Sequence, residues 1–333
     1  MSRRVTMADV AKEAGVSMMT VSRIVNNKGD ISESTTQRVR EVIERLGYRP
    51  SGIARSLATN RTRTLGLVVP DNANPFFSEL ARGAEHLAYE EGYNIFLCNT
   101  EEQLQREKDV LRSLEEKQVD GIILVSSRLD EDDLRAVIAQ SPTTVLVNRK
   151  LEMEGVGQVL IDDSYGSHKV TQHLIDTGHT AIGMLAGPTT SYSGRQRKAA
   201  YFETMKASRL MPQPGWTANC PPRIEGGAEV AGQMLTAHPE LTALFCYNDL
   251  VAIGALKACA EMGLVVPNDL AIVGFDDILL AGLVTPALTT CYVPRYEMGQ
   301  QAVRLLLEHI GGCETGCEEF VVQPELVIRS SAP

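Results

Sequence analysis

From Leu65 onward, short continuously apolar runs alternate with helix-length amphipathic segments, and no other feature constrains the chain as strongly. The runs are 65–69, 94–98, 121–125, 144–147, 159–161, 181–185, 243–246 and 270–274. Segments 76–91, 102–118, 131–140, 164–177, 193–208, 225–237 and 249–262 lie between them. Strands that are apolar on both faces are buried on both faces. Helices between successive strands make those strands parallel, so parallel sheets with helices on each side are expected. About 265 residues of this texture exceed one comfortable sheet, which gives an α/β body of two lobes of ~100–150 residues each.

The start of the chain reads differently. Thr6, Ser17 and Ser32 each stand where they cap a short helix. The apolar stripes behind them are Val10, Ala11 and Ala14; then Val21, Ile24 and Val25; then Val39, Val42, Ile43 and Leu46 before Gly47. Only Gly15-Val16 connects the first two helices, so they cross steeply, and a third helix braces them. That is a small all-α helix-turn-helix headpiece. Its second helix enters a major groove led by its N-terminal residues. Val21 points inward, leaving Met18, Met19, Ser22 and Arg23 for base edges. Arginine forks onto guanine O6 and N7, while methionine offers apolar contact, for instance to a thymine methyl. Ser17 and Thr20 suit phosphate oxygens at the helix start.

Charge supports this division. The net charge of -10 is wrong for a nucleic-acid binder taken whole. Residues 1–64, however, carry 12 Lys and Arg against 6 Asp and Glu, and the remainder carries 20 against 36. A basic module joined to an acidic body implies a polyanionic partner at one end only. Between the two, residues 51–59 read as about two helical turns, with Ile53 and Leu57 one turn apart. A helix below ~12 residues is marginal in water and needs a partner to fold.

Several function classes are disfavoured. No apolar run approaches the ~20 residues that cross a bilayer. The basic start has no apolar segment behind it, so no secretory signal is expected. Seven cysteines lack CxxC spacing, and Cys246 and Cys259 sit in apolar runs, as reduced buried thiols do. A cytoplasmic location is therefore expected. No GxGxxG follows a strand and no GxxxxGK[ST] occurs, and Cys313 and Cys317 have no nearby histidine beyond His309. Neither an enzyme, a cofactor nor a metal is expected. A sugar-transport binding protein is disfavoured by the missing signal and the basic headpiece.

Ligands of two-lobed α/β bodies bind at loops after the strands' carboxyl ends. Phe76 and Phe77, Asn148 and Arg149, Arg197, Asn248 and Asp276 all follow apolar runs in this way, with Asp162 or Asp163 nearby. A carboxylate, guanidinium forks, amides and aromatic faces are what a polyol needs. The alternatives are plain ones: Asn248 and Asp276 as caps or turns, Phe76 and Phe77 as core, and His179 as a structural turn residue.

The ordered motifs Thr6-Met7-Ala8-Asp9-Val10-Ala11, Ala14-Gly15-Val16-Ser17, Thr20-Val21-Ser22-Arg23, Gly47-Tyr48-Arg49-Pro50 and Ala54-Arg55-Ser56-Leu57 resemble the lactose-repressor (LacI/GalR-type) family of bacterial transcription regulators. The similarity continues through Asn74-Pro75-Phe76-Phe77, Val119-Asp120-Gly121, Gly178-His179, Asn248-Asp249, Gly274-Phe275-Asp276 and Leu288-Thr289-Thr290. The resemblance implies a homodimer on a pseudo-palindromic operator in double-stranded DNA, with Thr6 and Asn26 among the DNA-facing residues. It implies a helix-turn-helix domain over 1–50, a hinge and linker over 51–63, and a two-lobed body over 64–333. The hinge places Ala54 and Leu57 in the minor groove, where an apolar wedge costs unstacking energy and bends the duplex. It also implies an effector pocket between lobes like those of periplasmic sugar-binding proteins, so a sugar or sugar derivative is expected. A nucleobase and a phosphocarrier protein are the alternatives. Met18 and Met19 depart from the family's polar base readers, and Val293 stands where many relatives place a glutamine. The chain ends at Pro333 after strand-like residues 319–328, without the leucine-rich tail of tetrameric members, which points to a dimer.

Overall fold

A computed structural model describes residues 5–25, 29, 31–48, 61–312 and 319–333. Asn26, the 51–59 segment with Ala54 and Leu57, and Cys313 and Cys317 lie outside the described residues. The chain divides into two units, Met1–Thr62 and Arg63–Pro333.

The first unit holds helices α1 (Met7–Ala14), α2 (Met18–Val25) and α3 (Glu33–Leu46). Thr6 and Asp9 form a reciprocal capping box that satisfies two orphan amides of α1. Gly15 ends α1 at φ 66°, a left-handed conformation that glycine adopts without strain. Two residues later Ser17 starts α2, its Oγ accepting from the Thr20 N–H at 3.1 Å. Val10, Val21 and Val39, one from each helix, are fully buried together.

The first lobe of the body is built on strands β1 (Thr64–Val69), β2 (Asn94–Asn99), β3 (Gly121–Val125), β4 (Thr144–Val147) and β5 (Gly157–Ile161). The second is built on β6 (Ile182–Ala186), β7 (Thr217–Asn219), β8 (Ala243–Cys246) and β9 (Ala271–Val273), followed by β10 (Thr290–Tyr292). From the far end of the chain come β11 (Glu319–Val322) and β12 (Glu325–Val327). The first sheet runs β11-β5-β4-β3-β1-β2 and the second β7-β6-β8-β9, with every pairing parallel. β10 and β12 form a separate antiparallel pair. The helices are α4 (Pro75–Glu90), α5 (Leu104–Glu116), α6 (Glu131–Ile138), α7 (Asp163–Asp176), α8 (Tyr192–Ala207), α9 (Ile224–Ala237), α10 (Asp249–Met262) and α11 (Arg295–Ile310). None of the helices described is long and apolar enough to cross a membrane.

Residues 319–328 read as one strand but form two. The chain changes sheet at Gln323-Pro324, because proline has no N–H to continue a ladder. The chain thus passes between the lobes three times: after β5, between β10 and α11, and between β11 and β12.

Helix α11 is missing from the sequence expectation, and its packing shows why. Gly299 breaks a good helix pattern, since glycine weakens a helix interior. Here it is required, because a Cβ on Gly299 would lie 2.1 Å from the Leu80 carbonyl oxygen. Reciprocally, a Cβ on Gly83 of α4 would lie 2.0 Å from the Tyr296 carbonyl oxygen. The two helices approach backbone to backbone.

Candidate functional site

The carboxyl ends of the central strands of both sheets open on one cavity of about 680 Å³. The first lobe contributes Asn74, Phe76, Phe77, Ser126, Arg128 and Asn148 to its wall. The second contributes Thr190, Arg197, Tyr247, Asn248 and Asp276.

Arg197 organises the second lobe's wall. It stands in the second turn of α8, 2% exposed, with its guanidinium 3.6 Å above the centre of the Phe275 ring. Its Nε donates to Asp163 Oδ1 at 2.7 Å and its Nη1 to the Tyr247 carbonyl at 2.6 Å. The fork is therefore fixed before any ligand arrives. Nη2 stands 3.8 Å from Asp276 Oδ1, outside hydrogen-bonding range. Asp276 follows β9 at φ 114°, held by its own N–H on the Cys291 carbonyl at 2.8 Å and by Arg295, which donates to its carbonyl oxygen. Burial pushes its carboxyl up to about 7, against the pull of Arg197 and Arg295 and with some help from Asp163.

The other expected residues divide clearly. Asn248 caps α10, its Oδ1 accepting from the Val251 N–H at 2.9 Å, and it also lines the cavity. The cap and lining readings both hold, with Nδ2 left to donate. Phe76 and Phe77 likewise belong both to the core and to the cavity wall, their rings edge to face at 5.2 Å. Asn148 bridges the lobes: its Nδ2 donates to Ser126 at 3.2 Å and its Oδ1 accepts from Ser193 at 2.8 Å.

Arg149 corrects the expectation. Its Nη2 donates to the Leu129 carbonyl at 3.0 Å, and it is not part of the cavity wall. Asn148 leaves the extended conformation directly after β4, at φ 56°, and there the chain sends Asn148 to the cavity wall and Arg149 to Leu129. Asp162 caps α7 through the Tyr165 N–H, and Asp163 is the buried partner of Arg197. His179 pairs its Nδ1 with Thr242 Oγ1 at 3.0 Å, and burial lowers its imidazole. Val293 is fully buried in the core, away from the cavity wall.

Arg128 and Tyr247 are wall residues that the sequence reading missed. Both were accessible to the same strand-end argument, Arg128 three residues after β3 and Tyr247 directly after β8.

In the first unit, α2 buries Val21 and Ile24 and leaves Met18 57% and Met19 69% exposed, with Ser17 and Arg23 exposed as well. Thr20 and Ser22 are half-buried, and Thr6 is committed to its cap. Among the described residues, no group of three or more His, Cys, Asp and Glu is placed to hold a metal ion.

Comparison with known proteins agrees with this anatomy. Residues 6–51 match the model of bacterial regulatory proteins of the lacI family, and residues 171–332 match a periplasmic binding protein-like domain. The chain is 36% identical over 327 residues, 98% of each protein, to the HTH-type transcriptional repressor PurR of Aliivibrio salmonicida. It is similar to a solved lac repressor dimer bound to operator and the anti-inducer ONPF, with TM-score 0.89 and 27% identity over 99% of each chain. It is also similar to a complex of the transcriptional regulator CelR with cellobiose, with TM-score 0.75 and 30% identity, covering 98% of this chain and 100% of that one. The chain belongs to the lacI family of bacterial regulatory proteins: it is a DNA-binding transcriptional regulator with a helix-turn-helix headpiece and an effector-binding body.

Proposed function

We propose that this regulator is a cytoplasmic repressor that binds a pseudo-palindromic operator as a homodimer and changes its DNA affinity when a polyhydroxylated molecule enters the cavity between its lobes. The headpiece reads bases through Met18, Met19, Ser22 and Arg23, with Ser17 and Thr20 toward phosphates. Its relatives include proteins named as repressors, one of them solved as a dimer on operator.

The observation that carries the effector reading is the gap between Arg197 Nη2 and Asp276 Oδ1 at the cavity wall. A ligand hydroxyl placed there accepts from the guanidinium and donates to the carboxylate, which closes two incomplete interactions with one group. Asn248 Nδ2 adds a donor, and Phe76 covers a C–H face of the sugar. The similar CelR complex holds cellobiose, a ligand of this chemical class. A flat nucleobase is the second reading, because Phe76, Phe77 and Tyr247 place three rings at one cavity.

A thermal-shift screen against sugars, sugar acids and nucleobases tests the choice. A ligand at 100-fold its Kd adds ~2.7 kcal/mol of stability. A sugar hit that also changes operator binding in an anisotropy titration supports the polyol reading. A hit confined to nucleobases replaces it.

A further inference from the structure

Helix α9 starts at the cavity wall without a cap. Arg223 occupies its N-cap position and makes no side-chain cap bond, and Pro221, Pro222 and Arg223 all line the cavity. Helices α4, α6, α7, α8 and α10 are each capped by an Asn, Asp or Ser oxygen. A guanidinium has no acceptor and cannot do this. The N–H groups of Ile224, Glu225 and Gly226 therefore have no partner among the described residues, and neither does the Arg223 side chain. A helix start already carries roughly half a positive charge, so a cation placed there conflicts with the helix dipole. Glu225, in the same turn, is exposed and does not line the cavity.

A buried donor stands in the same corner. Asn248 is 3% exposed and lines the cavity, its Oδ1 is occupied by the Val251 N–H, and its Nδ2 has no partner. The starts of α9 and α10 meet backbone to backbone: a Cβ on Gly227 would lie 2.3 Å from the Val251 carbonyl oxygen, and one on Gly254 2.2 Å from that of Ile224. The carboxylates of the wall stand elsewhere. Asp71, Glu101 and Glu102 belong to the first lobe, and Asp276 stands by Arg197. Helix α5 also begins uncapped at the cavity, at Gln103, but Glu101 and Glu102 directly precede it and exclude an anion there.

We propose that this corner of the second lobe is an anion subsite and that the effector is an acidic polyol, a sugar carrying a carboxylate or a phosphate group. The anionic group is received by the free N–H groups at the start of α9, by Arg223 and by Asn248 Nδ2. The inference rests on the effector reading and narrows it: Arg197 and Asp276 fix a hydroxyl, and the α9 corner fixes the charge. An anion bound there displaces no internal partner, because amides and guanidinium alike are unoccupied. It also removes the conflict between Arg223 and the helix dipole.

Inorganic phosphate probes the subsite without the effector. Titrated into the full-length protein at fixed ionic strength, it should raise Tm in a saturable way. Arg223→Gln should raise the half-saturating concentration about fivefold or more. Asn248→Asp keeps an oxygen to cap α10 but puts a carboxylate where the amide donor was, and should abolish the response. Lys257→Gln removes the same charge as Arg223→Gln from an exposed, non-lining position on α10, and should stay within about twofold of the parent. A neutral sugar, its uronic acid and its 6-phosphate, compared in the same assay, separate the two sources of the anion. One acidic member should bind about tenfold or more tighter than the neutral sugar, and Arg223→Gln should erase that preference. A phosphate response that is absent, that survives both Arg223→Gln and Asn248→Asp, or that falls equally in Lys257→Gln would overturn the proposal. A neutral sugar binding as tightly as its acidic forms would overturn it too, while leaving the polyol reading of Arg197 and Asp276 in place. A hit confined to nucleobases would remove both.

Discussion

Asp276 holds its Oδ1 3.8 Å from Nη2 of Arg197, near enough for charge attraction and too far for a hydrogen bond. Asp163 occupies the nearer side of the same guanidinium at 2.7 Å, so two buried carboxyls share one cation. Arg197 bonds one oxygen of Asp163, leaving the buried Oδ2 without a hydrogen bond, and only partly compensates Asp276.

This sharing has a pH signature. Burial raises the Asp276 carboxyl to about 7, whereas an unfolded aspartate ionises at about 3.9. Between those values the folded chain keeps a proton that the unfolded chain has released. Stability from this group is therefore fully present below ~4, falls as pH rises, and is lost above ~7. Asp276→Asn removes the dependence. Its Tm minus that of the parent should grow between about pH 5 and 7.5, by ~2 °C or more, and then level off. A constant difference across that range would show the carboxylate ionised throughout.

Removing the cation should cost far more than the pair is worth. Arg197→Met leaves Asp163 buried at 2% exposure with no guanidinium, and breaking a buried pair costs ~3–5 kcal/mol. Asp163→Asn added to that variant should restore part of the loss, because an amide has no charge to leave unpaired. Urea denaturation of the four proteins closes the cycle, and strict additivity would contradict it.

The helix contact behind the first sheet makes a packing prediction. Gly83→Ala would drive its Cβ to 2.0 Å from the Tyr296 carbonyl oxygen, which neither backbone can relieve without moving. A loss of ~1–3 kcal/mol or more is expected, as for other overpacked sites. Gly232→Ala, on α9 with nothing within 4 Å of its new Cβ, is the control and should gain ~0.5–1 kcal/mol from helix propensity. Thermal melts of both variants decide the matter.

On the headpiece, Arg23→Ala should weaken operator binding by ~1–3 kcal/mol and relax the base preference at one position of each half-site. Selection from a randomised operator library, followed by titration, measures both. Uniform weakening across all sequences would move Arg23 to a phosphate.

The parallel α/β body was legible because its strands are continuously apolar, and the three headpiece helices because Thr6, Ser17, Ser32, Gly15 and Gly47 punctuate them. What stayed hidden depends on contacts distant in sequence. Gly299 reads as a flaw in a helix until Leu80 is placed against it. The split of residues 319–328 depends on which sheet each half joins. At the site, strand-end position picked out Phe76, Phe77, Asn148, Asn248 and Asp276, but it could not say that Arg149 bonds the Leu129 carbonyl and does not line the cavity. Arg128 was passed over although its position is equivalent. Its carboxylate partner Glu102 is brought to it only by the folded chain.

The central claim is that a molecule between the lobes changes operator affinity, and linkage supplies its most direct test. The ligand found by the thermal-shift screen should be titrated in the presence and absence of operator, and the operator with and without that ligand. The two affinity ratios should be equal and lie within ~5–150-fold, whichever direction the effect takes. Asp276→Ala should bring both ratios to about 1 while keeping ligand-free operator affinity within about threefold of the parent. A ligand that binds with unchanged affinity to Asp276→Ala, or that leaves operator binding of the parent unaltered, would contradict the account.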